Sequence, residues 1–218
     1  VSEQPNFADR RARFLKYEAP GAVQAYVQRL DREWPARAEI TQHIGQQIGN
    51  LAGAAPTVLE LACGPGRLAA TLLAQRPTLR YVGVDISPPF LAFAQAALAP
   101  YAARVTLLTV DLAEPTWPTH FATNSNTGRF DAIVSLQALH DVGDEQIIRR
   151  LYAQARDLLL PGGCFLNADL VVADGEELPQ NPGRRSIPRH LELLRAVGYQ
   201  EAQCTLAHGG FGVVCGRV

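Results

Sequence analysis

The run Thr57-Val58-Leu59-Glu60-Leu61-Ala62-Cys63-Gly64-Pro65-Gly66-Arg67-Leu68-Ala69 constrains the fold more than any other stretch of this chain. Its apolar start reads as a strand, the two glycines around a proline as a turn, and the segment from Arg67 as a helix. A second apolar segment, Tyr81-Val82-Gly83-Val84, ends in Asp85. In a parallel sheet this brings a backbone loop and a carboxylate to neighbouring strand ends, the geometry for holding a nucleoside-containing cofactor.

From Thr57 onward short β-rich segments alternate with helical ones. We read strands at 57–61, 80–84, 104–110, 131–135, 164–172, 201–206 and 211–217, with helices near 67–75, 88–98, 144–159 and 187–196. Such alternation predicts an α/β fold with a largely parallel, seven-stranded sheet and helices on both faces. Only Ala207-His208-Gly209-Gly210 separates the last two strands, too little for a crossover helix, so they should pair as an antiparallel β-hairpin at the sheet edge. Ser87-Pro88 supplies an N-cap and a first-turn proline. Gly162-Gly163 is expected to close the helix whose buried stripe runs through Ile147, Ile148, Leu151, Ala155, Leu158 and Leu159. The polar segment from Thr119 to Gly128 is expected to be an external excursion.

Residues 1–54 read as a helical cap or sheet-covering extension in front of the domain at 55–218. Ala22, Val23, Tyr26, Val27 and Leu30 share one face of a helix over 22–34, and Pro35 breaks it. Ile40, Ile44, Ile48 and Leu51 mark the buried side of a second helix over 37–51. These helices either cover the sheet or form a substrate lid.

Composition narrows the partners. The 218 residues have 47% hydrophobic content and a formal net charge of -1, which fits one ordinary globular domain with decoration. Near neutrality removes the broad electrostatic argument for nucleic acid or an anionic membrane. No apolar run is long enough to cross a bilayer, and the polar start Val1-Ser2-Glu3-Gln4-Pro5-Asn6 is unlike a secretory signal. Cys63, Cys164, Cys204 and Cys215 show no metal-ligand spacing and are expected to be reduced, buried thiols. A cytoplasmic setting follows. The chain has no methionine, even at position 1, which suggests that it is not the full encoded product. Oligomeric state is not legible.

Gly64 and Gly66 allow a tight turn or a close approach to a ligand, with amide donors waiting at the helix start. Asp85 can accept two ribose hydroxyls, or alternatively cap the following helix. Asp111 can accept from an exocyclic amine while Leu112 packs on a base, although Asp is also an ordinary turn residue. A nicotinamide dinucleotide would use the same crevice, and Ala69 at the third small position excludes nothing.

Taken together, these motifs resemble the class I S-adenosylmethionine-dependent methyltransferase superfamily over residues 57–218. Glu60-Leu61-Ala62-Cys63-Gly64-Pro65-Gly66 matches its cofactor-binding glycine loop, and Gly83-Val84-Asp85-Ile86-Ser87 its strand ending in the ribose-binding acid. Asp111-Leu112 matches the adenine-side pair. Asp131-Ala132-Ile133-Val134-Ser135 matches strand four, followed by Leu136-Gln137-Ala138-Leu139-His140-Asp141, a loop that supports the donor's methionine portion and then faces substrate. The resemblance implies a Rossmann-like sheet, S-adenosyl-L-methionine as cofactor, and contacts to it from Glu60, Ala62, Gly64, Gly66, Asp85, Ile86, Asp111, Leu112, Leu136 and Gln137.

It also implies methyl transfer by in-line displacement, which requires neither a protein nucleophile nor a metal. The chain lacks the Asn/Asp-Pro-Pro-Tyr/Phe sequence of many amino-methylating nucleic-acid enzymes and the paired-Glu loop of protein-arginine enzymes, so a small-molecule acceptor is expected. His140 is the candidate base, with Asp141 as its orienting partner. Tyr17, Tyr26 and Trp34 are candidates for an apolar acceptor wall, the insertion at 172–188 for a cover, and Arg184-Arg185 for binding an acidic acceptor. An NAD-dependent oxidoreductase and a non-catalytic cofactor-binding interaction domain are the alternative readings.

Overall fold

The computed structural model describes residues 7–51, 53–121 and 128–218. The polar start at 1–6 and most of the excursion at 119–128 lie outside the described residues. Among the described residues, seven strands form one sheet: β1 (Thr57–Leu61), β2 (Arg80–Asp85), β3 (Val105–Thr109), β4 (Phe130–Leu136), β5 (Leu159–Leu170), β6 (Gln200–His208) and β7 (Phe211–Arg217). Their order is β3-β2-β1-β4-β5-β7-β6. The first five run parallel, while β7 is antiparallel to both β5 and β6.

That order places the functional crevice. The chain winds outward from β1 through β2 to β3, then crosses back to β4 and β5 on the other side. Loops leaving β1 and β4 therefore diverge, and a cleft opens at their carboxyl ends.

Strand alternation distributes the core between two faces. Val58 packs with Ile40, Ile44, Leu68 and Leu72 of α3 (Arg37–Gly49) and α4 (Arg67–Gln75). Its neighbours Leu59 and Leu61 turn to the opposite face, with Ile148 and Leu151 of α6 (Glu145–Asp157) and Leu194 of α7 (Ile187–Ala196). Each such side chain contributes about 1.5–3 kcal/mol when removed from water. Ser87 caps α5 (Pro88–Ala97) by accepting from the Phe90 amide, and Asp144 and Ser186 cap α6 and α7 in the same way.

The N-terminal region is helical as expected, with α2 at Ala22–Glu33 and α3 ending at Gly49. It also holds a short helix α1 (Phe7–Ala12) and a 3-10 turn at Leu15–Tyr17 that the periodicity did not show. The start of α3 is docked on the terminal hairpin. Trp34 meets Phe211 edge to face at 5.8 Å, and His43 Nε2 is 2.9 Å from Thr205 Oγ1.

Two expectations need correction. The helix read at 144–159 stops at Asp157, and β5 begins at Leu159 rather than 164, so Gly162-Gly163 lie within the strand instead of closing the helix. Backbone pairing decides this: the Phe130 amide donates to the Leu158 carbonyl, and the amides of Gly162 and Val218 donate to Val218 and Gly163. Leu159 is buried either way, so its hydrophobicity could not distinguish helix from strand. All four cysteines are free thiols, but Cys204 and Cys215 are only half-buried. No helix among the described residues is long and apolar enough to cross a membrane.

Gly83 is a packing glycine. A Cβ there would lie 2.8 Å from the Tyr81 hydroxyl and 2.9 Å from Cys63 Sγ. Gly83→Ala is therefore expected to destabilise the fold by about 1–3 kcal/mol, read as a lower urea midpoint; an unshifted midpoint would refute this packing role.

Candidate active site

A cavity of about 320 Å³ lies over the carboxyl ends of the parallel strands and is roofed by the N-terminal elements. Nine of the ten residues singled out for cofactor binding line it: Glu60, Ala62, Gly64, Asp85, Ile86, Asp111, Leu112, Leu136 and Gln137. The tenth, Gly66, does not. It caps α4 with φ 78°, and a Cβ there would come within 3.0 Å of the Ala94 Cβ, so its missing side chain serves the packing of α4 on α5.

Asp85 organises the middle of the site. Its Oδ2 accepts from the Gly64 amide and its Oδ1 from the Ser87 amide, both at 2.8 Å. The carboxylate thus ties the glycine loop to the turn that leads into α5, whose own N-cap is Ser87. Burial pushes its pKa up to about 6 against the opposing pull of those amides, leaving it ionised at neutral pH. Gly64 has φ 53°, and a Cβ there would meet nothing within 4 Å, so the loop backbone is open to the cavity. Ala62 and Gln137, with φ of 54° and 55°, also adopt the left-handed conformation that side chains disfavour. Both lie on the cavity wall, where such strain commonly marks a functional loop.

Toward β3, Asp111 accepts from the Ala113 amide at 2.9 Å and from Arg10 Nε at 2.6 Å; Arg10 also pairs with Glu114. Helix α1 is thereby latched over that end. Toward β4, Glu60 is 3% exposed and accepts from the Tyr81 hydroxyl at 2.6 Å. Burial pushes its pKa up to about 8, against the lowering influence of Tyr81 and Arg37, so it carries its proton at neutral pH.

Tyr17 and Tyr26 line the cavity as expected and join Phe90 in one aromatic wall, with ring centroids 4.8–5.1 Å apart. Trp34 is instead committed to Phe211. No residue of 172–188 lines the cavity. That segment packs on the turn after β4: Asn181 donates to Asp141, and Arg185 pairs with Glu145 at 2.9 Å.

His140 lies behind the wall rather than on it, with Asp141 and Val142 at the cavity surface. Its Nδ1 is 2.5 Å from Asp169 Oδ1, its backbone amide donates to Asp169 Oδ2 at 3.0 Å, and its Nε2 is 3.5 Å from Asp141 Oδ2. The buried orienting acid is therefore Asp169, and exposed Asp141 faces the other nitrogen. Burial is the largest single influence and lowers the imidazole pKa, but the charge and hydrogen bond of Asp169, with the charge of Asp141, outweigh it and the net shift is upward. Sequence reasoning missed Asp169 although a signal existed: it is an acid ending an apolar strand whose register aligns Ala168 with Leu136. Arg37, Phe14 and Phe90 also line the cavity without having been singled out.

Comparisons with known proteins bear on the fold that carries this site. Residues 59–165 match the family described as a methyltransferase domain. An O-methyltransferase family protein from Burkholderia thailandensis is 19% identical with a TM-score of 0.69, the match covering 93% of this chain and 61% of that one. PigF, solved with SAH, is 16% identical with a TM-score of 0.70 and coverages of 100% and 64%. Human N-acetylserotonin methyltransferase, in complex with SAM, is 17% identical with a TM-score of 0.63 and coverages of 93% and 57%. This chain thus spans less than two thirds of each, and at these identities the likeness speaks for the fold. With the sequence match over residues 59–165, it supports the resemblance to the class I S-adenosylmethionine-dependent methyltransferase superfamily.

The proton on Glu60 has a consequence for stability. Because the folded pKa is raised from 4.5 to about 8, the folded state binds the extra proton across that interval, and stability falls as pH rises through it. Glu60→Gln, which keeps the acceptor for Tyr81, is expected to flatten that fall in urea titrations between those limits; an unchanged slope would place the buried charge elsewhere.

Proposed function

We propose that this chain transfers a methyl group from S-adenosylmethionine to a small-molecule acceptor. The observation that carries this reading is that nine motif residues, dispersed from Glu60 to Gln137, line a single cavity within a methyltransferase domain. When bound, the donor would supply an electrophilic methyl on a sulfonium, leaving a neutral thioether after displacement by the acceptor's lone pair.

On this reading the protein's own contribution is mostly placement. Asp85 would hold the ribose, Asp111 and Leu112 the base, and Glu60, Gly64, Leu136 and Gln137 the amino-acid end, while the aromatic wall excludes water. The helical elements within residues 7–51 act as the cap over this site, and 172–188 brace the His140 turn. The near-zero net charge supports a small acceptor over nucleic acid, and the free thiols support a cytoplasmic setting.

If the acceptor must lose a proton, His140 takes it at Nε2 while Asp169 holds Nδ1. The reacting atom then belongs at the cavity edge formed by Ala138 and Asp141. The test is an isotope-labelled methyl-donor assay against fractionated cell metabolites, with the labelled product identified by mass. Absence of any labelled product would count against transfer. With that acceptor in hand, kcat should rise with pH through a pKa above 6.5, because His140 works deprotonated and its pKa is raised. Asp169→Asn should move that limb to lower pH and reduce kcat by roughly 10²-fold or more; a pH-independent kcat would remove His140 from proton transfer.

A further inference from the structure

His140 sits between two carboxylates. Asp169 of β5 lies 2.5 Å from its Nδ1, and exposed Asp141 stands 3.5 Å from its Nε2. If both closed on the ring they would hold it as an imidazolium, with no nitrogen open to a substrate proton. From α7 comes His190, whose pKa is lowered by burial, so it is neutral at neutral pH. The charge that opposes the two acids is Arg184, in the segment between β5 and α7.

That segment is built directly against the His140 turn. Gly183 is buried, and a Cβ there would run into the carbonyl oxygens of His140 and Gly143, so only glycine fits. Its seat is fixed by other bonds: the Val172 amide donates to the Arg185 carbonyl at 3.4 Å, Ser186 Oγ donates to Asp174 at 2.9 Å, and Arg185 pairs with Glu145 at 2.9 Å. On one side of Gly183, Asn181 donates from Nδ2 to Asp141 Oδ1 at 3.4 Å. Asp141 is thus engaged through one oxygen while the other stays beyond ordinary hydrogen-bonding length from Nε2. On the other side Arg184 is half-buried, and among the described residues its guanidinium has no hydrogen-bonding partner and no carboxylate within ion-pair distance. No local anion neutralises it, so its charge is felt by the imidazole.

A general base works best when its proton affinity matches the working pH, and two unopposed acids would carry an imidazole past that point. Resting on the proposed function, in which His140 takes a proton from the acceptor, we propose that Asn181 and Arg184 are positioning residues for that step: Asn181 holds Asp141 off Nε2, and Arg184 opposes the two carboxylates, so that Nε2 is open to the acceptor. Neither residue lines the cavity, and both act through the His140 turn. The 172–188 segment, expected from sequence to cover the acceptor, on this account serves the base instead.

The experiment follows the His140 ring across pH by heteronuclear NMR of the full chain labelled at its histidines, with its signals identified by their loss in His140→Gln; neither donor nor acceptor is needed. Arg184→Gln is expected to move the His140 midpoint to higher pH, because the opposing charge is gone, and Arg184→Lys to return it toward that of the unmodified chain. Asn181→Ala should also raise the midpoint, and that rise should vanish in the Asp141→Asn background, where no carboxylate remains to close on Nε2. A midpoint that stays put or falls in Arg184→Gln or in Asn181→Ala overturns the role of that residue. A rise from Asn181→Ala that persists without Asp141 also overturns it, because it marks a general loosening of the turn. The same variants should bind S-adenosylhomocysteine within about twofold of the unmodified chain; a larger loss would assign the segment to the donor instead. If the unmodified chain bound no S-adenosylhomocysteine, the methyltransferase reading would fail and this inference with it, whatever the midpoints did.

Discussion

A carboxylate buried at a strand end must find donors, and the donors that Asp85 finds are the backbone amides that shape the cleft. Accepting from Gly64 and Ser87, it joins the loop after β1 to the cap of α5. Its burial would be costly without these bonds, and they in turn favour its ionised form at neutral pH. The left-handed backbone at Ala62, the open face of Gly64 and the close packing of α4 on α5 at Gly66 all follow from the turn held in this way.

Around this knot the charges are arranged unevenly. At one end Asp111 and Glu114 are matched by Arg10. At the other, burial pushes the Glu60 pKa up to about 8 and Arg37 faces the cavity, its guanidinium donating to the Gln137 side chain. Between them lies an aromatic wall contributed by α2, α5 and the preceding 3-10 turn. The cavity is thus polar at its two ends and apolar along its wall, a distribution that suits a long cofactor with polar termini.

Much of this was legible from sequence, because strands, turns and caps are local. Val58 to Leu61 must be a strand, Ser87-Pro88 must start a helix, and four residues between the last strands cannot hold a crossover. The strand-end residues of the cleft follow from that pattern. What was not legible depended on contacts across the fold. His140 and Asp141 are neighbours in the chain, yet the acid that holds the buried imidazole is Asp169, 29 positions away. Trp34 looked like part of an acceptor wall but is taken by Phe211, and Arg37, which the pattern did not single out, reaches the cavity from the start of α3. Gly66 is a different case. Its motif position suggested a ligand, and only the distance to Ala94 shows that it makes room for a helix.

The central claim is that the cleft across the ends of β3, β2, β1 and β4 is one donor site read end to end. A crystal structure of the chain grown with S-adenosylhomocysteine tests this most directly. The account predicts ribose hydroxyls on the Asp85 carboxylate, the base beside Asp111 and Leu112, and the amino-acid end between Glu60 and Gln137. A ligand bound elsewhere, or lying across the strand ends in the reverse direction, would contradict it.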